Sequence, residues 1–138
     1  MKKCYIAGPI STWGYRKSYE MFAAAEVAVR EAGYVPVNPM RFRVSRWKWL
    51  YRLVGYNVVL LYDVWRLIHC DNIYKLPGWR ASKGANIESC AAYHYNVHPI
   101  AQTKYFSIDA AMRKKAAELG VIIEEREKTP SNPTCRGK

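Results

Sequence analysis

The run Ser82-Lys83-Gly84-Ala85-Asn86-Ile87-Glu88 opens a helix with residues that can do chemistry. Ser82 is a natural N-cap. With the first free backbone N–H groups of the helix it can also receive a phosphate. Glu88 falls in the first turns, where the helix dipole favours its ionised form. An ionised carboxylate at the mouth of a sheet can serve as a nucleophile or stabilise a cationic sugar. The plainer alternative is a capping serine and a solvent-facing glutamate. Asp63 stands among Leu60, Leu61, Tyr62, Val64 and Trp65. Burial there would let its carboxyl hold and donate a proton; on an exposed face it would pair with Arg66 or another cation. Asp71 begins a strand, so it is either a structural hydrogen-bonder or a site residue. Cys90, His94 and His98 follow one another at intervals of four. His98 lies past the helix beside Pro99 and no fourth ligand is evident, so no metal site is assigned. Gly8-Pro9 allows either a close backbone approach to a ligand or a tight turn. It forms no dinucleotide fingerprint and no Walker loop, so neither a nicotinamide cofactor nor ATP is supported.

The elements that must position these residues alternate between strand and helix. Residues 3 to 7 (Lys-Cys-Tyr-Ile-Ala) form a short apolar run that stops at Gly8-Pro9, which predicts a first strand. Residues 16 to 32 have helical spacing, with Met21, Phe22, Ala25, Ala28, Val29 and Ala32 on one face and Gly33 as the stop. A brief strand follows over residues 34 to 37, then a helix over 57 to 69 and a third strand over 71 to 76. Residues 82 to 96 form another helix and 97 to 101 a fourth strand. A helix over 108 to 119, with Asp109 near its start, and a strand-like 121 to 123 complete the pattern. The expected fold is α/β: a Rossmann-like open parallel sheet of four to five strands with helices on both faces. Ligands bind such sheets beyond the carboxyl ends of the strands, at the switch point of strand order. That rule selects the loops after residues 7, 38 and 76. Residues 1 to 126 read as one domain and 127 to 138 as a flexible tail.

The chain of 138 residues carries 22 Lys and Arg against 11 Asp and Glu, a formal charge of +11. This excess favours anionic partners such as phosphates, nucleotides or nucleic acid, or simply gives a basic, soluble surface. Half of the residues are hydrophobic and 14% aromatic, which excludes a disordered or low-complexity chain. Four scattered cysteines form no CxxC pair, so they read as buried or free thiols. No secretory signal or membrane-spanning run is visible, and the expected location is cytoplasmic. Between Arg41 and Arg52, arginine and lysine alternate with Phe42, Trp47, Trp49, Leu50 and Tyr51. Such a stretch can stack on and neutralise a nucleic-acid strand, or form a lid or an oligomer contact.

The ordered series Tyr5-Ile6-Ala7-Gly8-Pro9-Ile10, Val37-Asn38-Pro39, Cys70-Asp71-Asn72-Ile73-Tyr74, Gly78-Trp79 and Ser82-x-Gly84-Ala85-x-x-Glu88 resembles the nucleoside 2-deoxyribosyltransferase superfamily. The likeness covers about residues 3 to 101. It is strongest to a small bacterial and phage branch, a domain-of-unknown-function family, and extends to the deoxynucleoside 5'-monophosphate N-glycosidases. That resemblance implies cleavage of the N-glycosidic bond of 2'-deoxynucleosides or their 5'-phosphates. It carries the nucleophile to Glu88, the acid/base role to Asp63, eight residues before Asp71, and the orienting tyrosine to Tyr5. It implies substrate contacts from Gly8, Pro9, Ile10, Ser82 and Gly84. Transferases of free nucleosides have an aspartate six residues before the glutamate, where this chain has Ser82, as the monophosphate glycosidases do. A neutral donor suits a phosphate that a carboxylate would repel. The family needs no metal or organic cofactor and builds its sites between subunits, which implies a homo-oligomer. Two other readings stay open: a protein that binds a nucleotide-like ligand without turnover, and a nucleic-acid-binding protein working through residues 41 to 52.

Overall fold

The computed structural model describes residues 2–9, 13–40 and 56–123. Strand β1 (Lys3–Ala7) leads into helix α1 (Tyr15–Glu31), then β2 (Val35–Val37), α2 (Tyr56–Ile68) and β3 (Asn72–Lys75). A 3-10 turn (Trp79–Ala81) precedes α3 (Lys83–His94), β4 (His98–Pro99) and α4 (Gln102–Leu119). The strands form one sheet in the order β2-β1-β3-β4, and every pairing is parallel. The fold is therefore the expected α/β open parallel sheet.

Helices cover both faces, and the strands' period of two sorts the core between them. Cys4 and Ile6 of β1, with Tyr74 and Leu76, pack against Met21, Phe22, Ala25 and Val29 of α1 and Ile108, Met112 and Ala116 of α4. Tyr5 and Ala7 point to the other face, with Ile73, and pack with Leu67 of α2 and Ala92 of α3. β1 is central and buried from Cys4 to Ala7, as its unbroken apolar run requires in a sheet covered on both sides.

The helix ends explain where the elements differ from the sequence reading. Gly33 (φ 100°) closes α1, and Tyr34 N–H returns to Val29 O at 3.2 Å. Asn96 adopts φ 59° after α3, and Val97 N–H donates to Ala92 O at 2.8 Å. Both are left-handed closures that release the chain into the next strand. α4 starts at Gln102, six residues before the expected start at Ile108. Its N-cap, Ala101, offers no capping side chain, so the sequence carries no start signal. Asp109 consequently lies inside the helix, where its Oδ2 accepts from Arg113 Nε at 2.8 Å. Residues 121 to 123 form no strand. Val121 N–H is engaged by Ala116 O at 2.8 Å in the closure of α4 at Gly120, so it cannot join a ladder. Among the described residues the sheet has four strands. The proposed tail, residues 127 to 138, and the basic aromatic segment, 41 to 52, lie outside the described residues.

Cys4 and Cys70 are free, buried thiols. Cys90 is disulfide-bonded, a departure from the expected set of thiols. Burial pushes the Cys4 thiol up to about 12 and the Cys70 thiol up to about 11. Both therefore stay protonated at neutral pH, and the protonated thiol is a poor nucleophile. Iodoacetamide at pH 8 should leave both unmodified in the native chain and label both after denaturation, read by peptide mass spectrometry. Rapid native labelling would contradict the buried placement.

At the end of β1, a Cβ on Gly8 would meet Leu76 Cδ1 at 2.6 Å and Leu76 Cβ at 2.9 Å. The second contact is not with a mobile side-chain tip, so backbone would have to shift. Gly8→Ala should lower stability by about 1–3 kcal/mol, measured by urea unfolding with an unchanged m-value.

Candidate active site

The chain runs from β1 outward to β2, then returns across β1 to β3. The switch point is thus the crevice between the carboxyl ends of β1 and β3. There Leu76 N–H donates to Ala7 O at 2.8 Å, and Gly8 and Pro9 follow, both buried. Gly8 is needed for this close approach, because only a hydrogen fits against Leu76.

Tyr5 and Glu88 meet beside that crevice. Tyr5 lies on the face of β1 that α2 and α3 cover, and it is fully buried. Its hydroxyl donates to Glu88 Oε2 at 2.6 Å. Glu88 is only 6% exposed, which discards the reading of a solvent-facing helix glutamate. The hydrogen bond is short, as expected between a hydroxyl and a carboxylate. It joins residues that are 83 positions apart in sequence.

Ser82 fixes the helix that carries Glu88. Its Oγ accepts from Ala85 N–H at 3.3 Å, a side-chain N-cap. Asn86 Nδ2 donates back to Ser82 O at 2.7 Å and to Arg80 O at 3.0 Å. The cap thus sets the phase that turns Ala85, Glu88 and Ala92 inward. Its hydroxyl proton remains able to donate, and the N–H groups of Lys83 and Gly84 have no acceptor within the helix by position. This tip can bind an anion.

Asp63 sits on α2 and is 2% exposed, so the buried alternative holds for it. Helix α2 packs against α3. Asp71 resolves the other way. It is exposed and its Oδ2 accepts from Lys3 N–H at 3.0 Å, at the amino end of the sheet and away from the crevice. It is a structural hydrogen-bonder. Ile10 lies outside the described residues. His94 and His98 are exposed, and among the described residues no group of three or more His, Cys, Asp or Glu is arranged to hold a metal ion. Among the same residues no helix is long and apolar enough to cross a membrane.

Sequence reasoning missed a third buried carboxylate. Glu26 of α1 is 6% exposed, where Asn38 Nδ2 donates to its Oε1 at 3.1 Å and Arg30 to its Oε2 at 3.2 Å. Asn38 Oδ1 accepts from Met40 N–H at 2.9 Å. This network pins the loop after β2, one of the three loops at the carboxyl edge. The signal was present, because Glu26 interrupts the apolar face of α1 and Asn38 follows a strand directly.

The model of one protein family matches residues 2–101: a domain of unknown function, DUF4406. The chain belongs to this family. No curated protein and no solved structure matches it. The DUF4406 match spans β1 through β4 and includes Tyr5, Asp63, Ser82 and Glu88. α4 lies beyond it, although its Ile108, Met112 and Ala116 complete one side of the core.

Tyr5→Phe should lower stability by about 1.5–3 kcal/mol, because a buried carboxylate loses a charge-assisted hydrogen bond. The check is urea unfolding at pH 7 beside Tyr95→Phe, a variant of an exposed tyrosine, which should change little. Equal effects of the two would remove the Tyr5–Glu88 contact from the account.

Proposed function

We propose that this protein is an N-glycosidase or deoxyribosyltransferase acting on 2'-deoxynucleoside 5'-monophosphates, with Glu88 as its nucleophile. The observation that carries the reading is the 2.6 Å hydrogen bond from the buried Tyr5 hydroxyl to Glu88 Oε2 at the switch point of the sheet. A carboxylate fixed by a buried hydroxyl is held in one orientation, as attack on an anomeric carbon requires. The likeness of the chain's motifs to the nucleoside 2-deoxyribosyltransferase superfamily supports the same assignment.

In this mechanism a Glu88 oxygen forms a bond to C1' of the deoxyribose as the bond from C1' to the base nitrogen breaks. The electron pair of that bond leaves with the base, and Asp63 supplies the proton that neutralises it. Water, or a second base, then attacks C1'. Its proton passes to Asp63, and Glu88 leaves as a carboxylate. Tyr5 keeps its hydrogen bond to the resting and departing carboxylate, which lowers the energy of both. The 5'-phosphate binds at the tip of α3, through Ser82 and the free N–H groups of Lys83 and Gly84. The net charge of +11 favours such a dianion over a neutral nucleoside. The same reading includes a homo-oligomer, whose size analytical ultracentrifugation would give.

Incubation with each of the four deoxynucleoside monophosphates should release free base, followed by chromatography. Glu88→Ala should abolish release, and Asp63→Asn should slow it by about 10²–10⁴-fold. Ser82→Asp keeps a good N-cap but places a negative charge at the phosphate. It should raise KM for the monophosphate and leave turnover of the free nucleoside unimpaired. An inert wild type, or an active Glu88→Ala, would overturn the proposal. Recovery of unchanged ligand after tight binding would favour a nucleotide-binding protein instead.

A further inference from the structure

Lys75 ends β3 on the same face as Tyr5 and Ala7, since it pairs with Ala7 in register. Its ammonium donates to Ser89 Oγ at 3.2 Å and lies 4.3 Å from the centre of the Trp79 ring. Glu88 and Ser89 are neighbours in α3, about 100° apart around its axis. The inward line of the helix runs through Ala85 and Ala92, and the two side chains leave it about 50° to either side. Glu88 turns to β1, while Ser89 meets Lys75.

Two positive groups converge here on one indole. The Arg80 guanidinium lies 5.1 Å from the same Trp79 ring, and both burial and Arg80 lower the affinity of Lys75 for its proton. Among the described residues no carboxylate stands within ion-pair distance of Lys75; its contacts are a hydroxyl and an aromatic face. A half-buried ammonium with a cationic neighbour and no acid is destabilising unless an anion arrives. A lysine and a hydroxyl, with a guanidinium beside the same ring, match a tetrahedral oxyanion with several acceptors.

We propose that Lys75, Arg80 and Ser89, set around Trp79, form a second anion site on the flank of α3 away from Glu88, and that it takes a phosphate group, free or on a nucleotide. This site does not depend on the glycosidase reading.

Thermal unfolding with phosphate against chloride at equal ionic strength tests it. The background is Ser82→Asp, which closes the helix tip to phosphate. In that background phosphate should raise Tm saturably, and adding Lys114→Met, at an exposed position on α4, should leave the rise intact. Adding Lys75→Met should abolish the rise. It should also leave Tm in chloride equal or higher, because an uncompensated buried cation is gone. Among the Lys75-dependent shifts, a larger one with thymidine 5'-monophosphate than with phosphate assigns the group to a nucleotide; equal shifts assign it to free phosphate. No phosphate response in the Ser82→Asp protein would overturn the site. So would a response that survives Lys75→Met, or one lost equally in Lys114→Met.

Discussion

A carboxylate taken out of water must be given hydrogen bonds, and Glu88 obtains one from Tyr5 across the space between sheet and helix. That demand constrains much of the architecture. Tyr5 can reach Glu88 only because β1 is central and its odd-numbered side chains face α2 and α3. Glu88 faces inward only because the N-cap at Ser82 starts α3 in the right phase. A helix begun one residue later would rotate Glu88 by about 100° and break the contact. An isolated ionised carboxylate in an apolar interior is far more expensive than any single packing defect, so the Tyr5 hydrogen bond couples the fold to the site.

The two ends of the sheet divide the polar work. At the amino end, Asp71 accepts from Lys3 N–H, and Asn72 Nδ2 donates to His98 O at 3.2 Å; these bonds tie strand starts together. At the carboxyl end lie Gly8, Asn38, Lys75 and Ser82, where loops open and the sheet reverses its order. Asp63 and Asp71 look alike in sequence, yet one is buried in a helix beside α3 and the other is exposed at the opposite edge. Position relative to strand direction separates a candidate proton donor from a structural tie.

The alternation of elements was legible in the sequence because the apolar periods of β1 and α1 are clean and the stop at Gly33 is a strong local signal. α4 was read six residues short because Ala101 caps with nothing. The run 121 to 123 has the composition of a strand, but a backbone N–H committed to a helix closure overrides propensity. For the site, the pattern from Ser82 to Glu88 placed both residues on one helix start, and it left the burial of Glu88 undecided. Burial depends on Tyr5, 83 residues away, and no local pattern encodes that distance. Lys75 was not legible at all: a lysine closing an apolar strand looks like an ordinary exposed end. Only the positions of Trp79 and Ser89 show that it is enclosed.

As the proposed nucleophile, Glu88 becomes covalently bonded to the sugar during turnover. Intact-protein and peptide mass spectrometry of a reaction with a deoxynucleoside monophosphate, quenched in acid during turnover, reads this directly. The peptide containing Glu88 should carry a deoxyribose-phosphate ester, lost on longer incubation as water resolves it and absent from Glu88→Gln. Base release with that peptide unmodified, or with the sugar bound to another residue, would contradict this role for Glu88.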